Sequence, residues 1–467
     1  MRLFSMYGWI RTHHSIDSGL HRFASRPWAG GAVLLICVIA AMLLSNLPVT
    51  KEYYHYLLHT DIFLVIGAGD GFANWTFPQD MTIEKFINDA LMVLFFFTVG
   101  LEIKREIACG QLSTFRKAAL PVLAAIGGMI VPAIIFSCFN MGTPAEKGWG
   151  IPTATDIAFA IGILTMLGNR VPVSLKIFLT ALAIADDLGA IVVIALFYGG
   201  NLNLDLLAIA IAIMTIVYLF NRMGEKRLAF YLIPGIIVWA LFYYSGVHST
   251  LSGVAMAMLI PMDARYSKEY YLHKMKWINN RLLESGVNIE KGISPTDFPN
   301  DEHRYWMRQK KRVASGAIGL SYRLESALSP YVTFIVMPVF ALANAGVEIS
   351  SLSYLNIFHS SPETGALGVG IFFGLVLGKP IGIFLSSFIA VKLRLAEIPE
   401  HSSWTMLFAV ACLGGIGFTM SIFVDALAFS APEMIDRGKI AVLMGSVTAA
   451  ILGSLLILLL SKRGTDD

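Results

Sequence analysis

The sequence predicts an all-α polytopic membrane protein of about twelve transmembrane helices, each needing about 20 apolar residues to cross a bilayer. Three observations carry that prediction. Of the 467 residues 56% are apolar and 14% charged, against roughly 25% charged in a soluble domain. Mean hydropathy is +0.67. The apolar residues also fall into long runs, separated by connections that are alternately rich and poor in Lys and Arg. Such a composition excludes a disordered chain, a collagen-like chain and a string of soluble domains. With 35 Lys+Arg against 32 Asp+Glu the net charge is +3, so no nucleic-acid partner is expected. Cys37, Cys109, Cys138 and Cys412 are widely separated, which argues against a disulfide or a zinc site.

The spans run as Gly30–Leu47, Phe86–Ile103, Ala118–Asn140, Gly150–Leu167, Leu175–Phe197, Leu204–Phe220, Leu228–Tyr244, Gly246–Ile260, Ser329–Gly346, Gly365–Val391, Thr405–Phe423 and Ile440–Leu460. The first is preceded by a polar segment and followed by no small-residue cleavage motif, so it reads as an uncleaved span. Span 8 is short and must sit behind its neighbours or thin the bilayer. The N-terminus and the alternate connections after it hold 27 basic residues, and the opposite set holds 5. By the positive-inside rule both termini are then cytoplasmic. Residues 51–85 include a possible extracytoplasmic hairpin near Phe63–Trp75, with turn chemistry in Gly69-Asp70-Gly71. Residues 262–322 carry eleven basic residues and read as a polar cytoplasmic insert, helical around Tyr266–Leu283 and then looped through Pro295 and Pro299. The division expected is a membrane domain over 1–261, the insert over 262–322, and the rest of the membrane domain over 323–467.

An ionisable side chain at bilayer depth costs about 2.5–3.5 kcal/mol on insertion scales, so each one needs a reason. Asp186 and Asp187 lie inside span 5 with apolar turns on both sides. Successive helical positions diverge by about 100°, so one carboxylate can face a cation while its neighbour meets a fixed countercharge. Lys379 sits between Gly378 and Pro380, well inside span 10, and Asp186 or Asp187 is its best partner. Asp156 follows Pro152, Thr153 and Thr155 in span 4, a pattern suited to a broken helix whose freed backbone is satisfied by hydroxyls. In span 11, Gly414, Gly415 and Gly417 mark a second interruption at the corresponding place in the other half of the chain, which suggests paired half-helices around a transport site. Asp89 reads as structural, pairing near the end of span 2. For Glu102, Glu106, Glu325 and His248 a packing or solvated role and a functional one both stay open.

Carboxylates, Thr hydroxyls and unwound carbonyls are oxygen ligands suited to a hard cation. An apolar surrounding also favours the neutral form of a carboxylate, so protons compete for the same oxygens. One site that takes either ion exchanges them.

At this point the chain resembles the NhaA-type sodium/proton antiporters. The matching segments are Asn88-Asp-Ala-Leu-Met, Phe95-Phe-Phe-Thr-Val-Gly-Leu-Glu-Ile-Lys-Arg-Glu, Ala154-Thr-Asp-Ile-Ala-Phe-Ala, Ala185-Asp-Asp-Leu-Gly-Ala, Gly246-Val-His-Ser-Thr-Leu, Phe340-Ala-Leu-Ala-Asn-Ala-Gly-Val, Gly378-Lys-Pro-Ile-Gly and Gly417-Phe-Thr-Met-Ser. They run in family order from about residue 20 to 460, leaving out the insert. The resemblance implies inverted repeats with spans 4 and 11 broken and crossed, an arrangement described for this family itself. It implies an electrogenic, pH-regulated antiporter in a bacterial inner membrane, exporting sodium by alternating access, with lithium left open as a second cation. Asp187 would be the main cation and proton carboxylate and Asp186 the proton carrier paired with Lys379. Asp156 and Thr155 would shape the site, and Glu102, Arg105, Glu106, Glu325 and His248 would serve the pH response. The metal is then transported sodium at Asp186 and Asp187, and no enzyme activity or cofactor is implied. Its partners are sodium, protons and the lipid bilayer, with a homodimer through the hairpin near 56–80. Family members commonly hold a histidine before the proline of span 9, where this chain has Ser329 before Pro330.

The competing readings are a passive cation channel, whose pore can be lined by acidic residues, and an antiporter for another alkali cation such as potassium. A membrane-embedded aspartyl protease is disfavoured: its Gly-x-Gly-Asp signature occurs at Gly67–Asp70, outside the spans.

Overall fold

The structure is a computed structural model of the chain. It describes residues 26, 28–62, 64–66, 75–77, 81–200, 202–264, 266–284, 301–349, 356–358 and 364–463. Among these, eight helices are long and apolar enough to cross a membrane: Ala29–Asn46, Ile83–Cys109, Phe115–Asn140, Val173–Phe197, Leu204–Arg222, Leu320–Asn344, Leu367–Lys392 and Pro432–Ser461. Two more crossings are bent pairs, Pro144–Thr153 with Ile157–Met166 at 41° and Trp404–Gly414 with Phe418–Ala428 at 47°. The shorter apolar helices Ala229–Ser245 and Thr250–Leu259 complete the set of twelve. Spans 5 and 10 are each 67% buried and span 6 only 11%, which puts the former at the centre and the latter at the rim.

Two spans begin earlier than hydropathy suggested. Span 9 starts at Leu320 and span 12 at Pro432, because their opening turns carry Glu325, Asp436 and Lys439, which hide helical turns from a hydropathy window. Spans 9 and 10 each contain a π-helical turn, Val332–Val336 and Gly374–Gly378. Pro338 and Pro380 follow. Proline has no N–H and its ring presses on the carbonyl four residues back, here Phe334 and Val376, so the ladder widens at that point.

Lipid tails are as apolar as leucine, so helices in a bilayer associate through close packing and small residues. Spans 3 and 10 show this most clearly. A Cβ added to Gly127 would lie 2.5 Å from the Gly382 carbonyl oxygen, and one on Gly378 would lie 2.8 Å from Pro132 Cα. Glycine is what lets these two backbones touch and fixes the height of Lys379 beside span 5.

Outside the bundle, β1 (Leu64–Ile66) and β2 (Trp75–Phe77) pair antiparallel with Val65 opposite Thr76, which is the expected hairpin. Its Gly69–Gly71 turn lies outside the described residues, as do Arg2, Arg11, Arg22, Pro295 and Pro299. The insert contains the expected helix, Lys268–Glu284, and after the Pro295–Pro299 stretch a second helix, Asp301–Gly316, in place of continued loop. The two pack edge to face through Trp277 and Trp306, with ring centroids 5.1 Å apart. Tyr266 N–H donates to the Gly316 carbonyl at 3.1 Å and closes the base of this helical hairpin.

Candidate functional site

Spans 4 and 11 break because each meets residues that leave backbone groups unpaired. Span 4 begins as a 3-10 helix ending at Thr153, extends through Ala154, and resumes at Ile157 with Asp156 as its N-cap. Span 11 stops at Gly414 and resumes at Phe418. Four helix ends therefore meet in the middle of the bundle, and polar groups have to replace the water they would otherwise bind.

Asp156 serves both N-terminal ends. Its Oδ1 accepts from Phe159 N–H at 3.2 Å, within its own half-helix. Its Oδ2 accepts from Thr419 N–H at 3.1 Å and from the Thr419 hydroxyl at 2.5 Å, at the start of the other. The backbones also join, as Asp156 N–H donates to the Ile416 carbonyl at 2.6 Å. Ser446 of span 12 accepts from Phe418 N–H at 3.1 Å. One anion thus lies against two positive dipole ends. At the opposite pole, the Thr155 hydroxyl donates to the Gly414 carbonyl at 2.9 Å and accepts from Lys379 Nζ. The ammonium lies near the negative ends.

Span 5 brings the two adjacent aspartates to this crossing, and their roles separate as the helical geometry requires. Asp186 Oδ2 pairs with Lys379 Nζ at 2.5 Å, with side chains 3% and 1% exposed. Asp187 points elsewhere. It lines a cavity of about 230 Å³ together with Asp156, Thr155, Glu102, Thr98 and Thr333, and its Oδ2 accepts no hydrogen bond from the described residues. Carboxylate and hydroxyl oxygens therefore converge on one buried space, with a single ammonium held to one side.

Glu102 connects this cavity to a charged cluster at one end of span 2. Arg105 approaches Glu106 at 3.2 Å, Glu325 at 3.0 Å and Glu102 at 4.0 Å. Glu106 also accepts from Gln111 N–H at 2.7 Å, fixing the chain as it leaves the helix. Lys104 donates to the Met258 carbonyl at 2.6 Å, which ties the same end of span 2 to the last turn of span 8.

His248 does not join this cluster, contrary to the sequence reading. It follows the left-handed Gly246 (φ +81°) in the turn before span 8, and that turn lies at the far end of span 2. Its Nε2 is 3.7 Å from Asp89 Oδ1, thirteen residues and about 20 Å of helix from Glu102. Its ring stands edge-on to Phe423 with centroids 5.5 Å apart. Asp89 has the structural partners expected of it, accepting from Ser249 at 3.1 Å as well. Sequence reasoning missed Thr419 and Ser446 as site residues. Thr419 stood within the quoted Gly417-Phe-Thr-Met-Ser segment, and a hydroxyl directly after a glycine interruption is the signal that marks it.

The sequence profile described as Na+/H+ antiporter 1 matches residues 21–457. The chain is 41% identical over 449 residues to the Na(+)/H(+) antiporter NhaA of Acidithiobacillus ferrooxidans, covering 96% of this chain and 99% of that protein. It is 39% identical over 437 residues to the Na(+)/H(+) antiporter NhaA of Escherichia coli O1:K1, covering 93% and 96%. Among solved structures, the sodium proton antiporter MjNhaP1 of Methanocaldococcus jannaschii is 12% identical with a TM-score of 0.45, covering 98% of this chain and 99% of that one.

Proposed function

The chain belongs to the Na+/H+ antiporter 1 family, and we propose that it exports sodium in exchange for protons, electrogenically and under pH control. The observation that carries this reading is the split between the two aspartates: Asp186 Oδ2 is held by Lys379 at 2.5 Å, while Asp187 lines the cavity and forms no ion pair among the described residues.

A sodium ion at Asp187 has oxygens of Asp156 and Thr155 within the same cavity, a ligand set suited to a hard cation. A proton on Asp187 removes the charge that holds the ion, so the two exclude each other. When Asp187 is charged and sodium is absent, the site holds two carboxylates against one ammonium. Either a proton or a sodium ion restores balance, which disfavours leaving the site empty. The Asp186–Lys379 pair carries a further proton by releasing one when sodium binds and taking one up when sodium leaves, so more proton charge enters than cation charge leaves. Alternating access follows if the crossed half-helices of spans 4 and 11 move relative to span 5, since Asp156 and Thr155 join both breaks.

Glu102, Arg105, Glu106 and Glu325 lie where a pH response would act, at the cavity's charged end. The basic-residue bias of 27 to 5 supports cytoplasmic termini in a bacterial inner membrane. That orientation puts the cluster and the 262–322 insert on the cytoplasmic side and the β1–β2 hairpin outside. The membrane domain is then 1–261 with 323–467, interrupted by the insert. The unpaired edges of a two-stranded hairpin suit a homodimer through residues 56–80. Proton flux in everted vesicles, driven in turn by sodium, lithium and potassium, tests the proposal. Sodium-driven proton movement supports it, and charge leakage without counter-transport would mean a channel.

A further inference from the structure

Span 11 carries a second buried carboxylate that takes no part in the site above. Asp425, on the half-helix Phe418–Ala428, is 0% exposed. Neither of its oxygens accepts a hydrogen bond from the described residues. Phe423, two positions earlier and so on nearly the opposite side of the helix, packs on Phe96, Phe340 and His248. Asp425 instead turns to span 12. Its carboxylate occupies the space where a Cβ on Gly438 would stand, which brings it against the backbone of span 12.

Among the described residues, the charges acting on Asp425 are Lys439, which is buried, and Asp436, which is half-buried. The other charges acting on Asp436 are those of His55, on the helix Lys51–Leu58, Glu348 and Glu84. His55 is half-buried and its Nε2 engages no described residue. Tyr198, just past the end of span 5, is the remaining titratable neighbour. Its hydroxyl donates to the Lys147 carbonyl at 2.8 Å and accepts from Gly150 N–H at 3.1 Å. Burial, and after it the charge of Asp425, pushes its phenol up, so it keeps its proton.

Ionised, Asp425, Asp436 and Lys439 sum to one negative charge, as the two aspartates and the lysine of the central site do. One added positive charge neutralises the group. An alkali cation would need several oxygen ligands around it, whereas the carboxylate here is packed against backbone. A proton needs no such room. We propose that Asp425 is a second proton-exchanging carboxylate, enclosed between spans 11 and 12 beside Gly438 and Lys439 and near the hairpin end of the bundle. Its part in transport rests on the antiport reading; its titration does not.

Infrared difference spectra between acidic and alkaline buffer test the titration in Asp187→Asn protein, where the central carboxylate is silent. Adding Asp425→Asn should remove one protonated-carboxyl band, and Lys439→Met should shift that band. Identical spectra with and without Asp425 would overturn the proposal even in a protein that transports nothing. In oriented proteoliposomes with the cytoplasmic-side pH clamped, Asp425→Asn in the otherwise native chain should move the external-pH midpoint of exchange by about half a unit, roughly threefold in proton concentration. Cytoplasmic-side sodium KM should stay put. Loss of the band with an unchanged external-pH profile would overturn the proton-exchange role. If Asp425→Asn fails to fold, Asp436→Asn and Lys439→Met carry both comparisons.

Discussion

Replacing Lys379 by methionine keeps the side-chain volume but removes the ammonium from beside Asp186. The pair it breaks spans 2.5 Å, between side chains 1% and 3% exposed, so water cannot take the lysine's place. An ionised carboxylate left unpaired in such a setting costs about 3–5 kcal/mol. An unfolding entropy of about 2.1 cal/mol/K per residue over the whole chain comes to roughly 1 kcal/mol/K, which converts that cost into a Tm lower by about 3–5 °C. Helices that stay formed in the bilayer reduce that entropy and enlarge the shift. Removing the cation penalises an ionised carboxylate, and carboxylates are ionised in alkaline buffer, so the deficit is fully expressed there. Thermal unfolding of purified wild-type and Lys379→Met protein in acidic and alkaline buffer reads this directly. Adding Asp186→Asn should recover most of the loss, since both charges are then gone. Equal melting of the single variant and wild type in alkali, or a double variant whose deficits simply add, would refute the ion-pair role.

Asp187→Asn should abolish exchange in correctly inserted protein, because an amide keeps the shape but loses the charge that binds either ion; wild-type-like sodium-driven proton flux would contradict this. Thr419→Val removes the 2.5 Å hydroxyl bond to Asp156 and should cost about 1–3 kcal/mol of stability with weakened apparent sodium affinity, while Thr419→Ser restores both. Gly382→Val forces a side chain into the Gly127 carbonyl and should lower Tm as well as activity, since Lys379 rides on the displaced helix. Replacing residues 264–320 with a short Gly/Ser linker should leave sodium/proton exchange intact in vesicles; a folded but inactive protein would place the insert within the transport machinery.

The spans were legible because bilayer thickness imposes one length on every crossing, and hydropathy reads length. Even the breaks showed, since Pro152 with two threonines and Gly414-Gly415 with Gly417 advertise backbone that cannot stay helical. What stayed hidden needed the third dimension. Whether Asp186 or Asp187 meets Lys379 depends on the rotation of span 5 against span 10, and the position of span 10 is set in part by its Gly127–Gly382 contact with span 3 and the π-turn before Pro380. Asp156 could be placed at a break, but its second helix end, at Thr419, lies 263 positions along the chain. His248 was grouped with the wrong end of span 2, although the alternation of connections already puts the turn before span 8 opposite Glu102. The helix Asp301–Gly316 escaped notice because its apolar stripe is narrow and faces one partner, Lys268–Glu284. Asp425 lay beyond the quoted Gly417–Ser421 segment, in a turn whose apolar neighbours gave no hint of Lys439 across the interface.

One site that holds a proton or a sodium ion, and never both, is tested most directly by the apparent sodium KM for exchange as a function of cytoplasmic-side pH in everted vesicles. If both ions compete for Asp187, KM should rise about tenfold for each unit of acidity per competing proton once the pH falls below the carboxylate's pKa, with the maximal rate regained at high sodium. A sodium KM that stays flat while the maximal rate alone falls with acidity would mean that proton and cation bind at separate places.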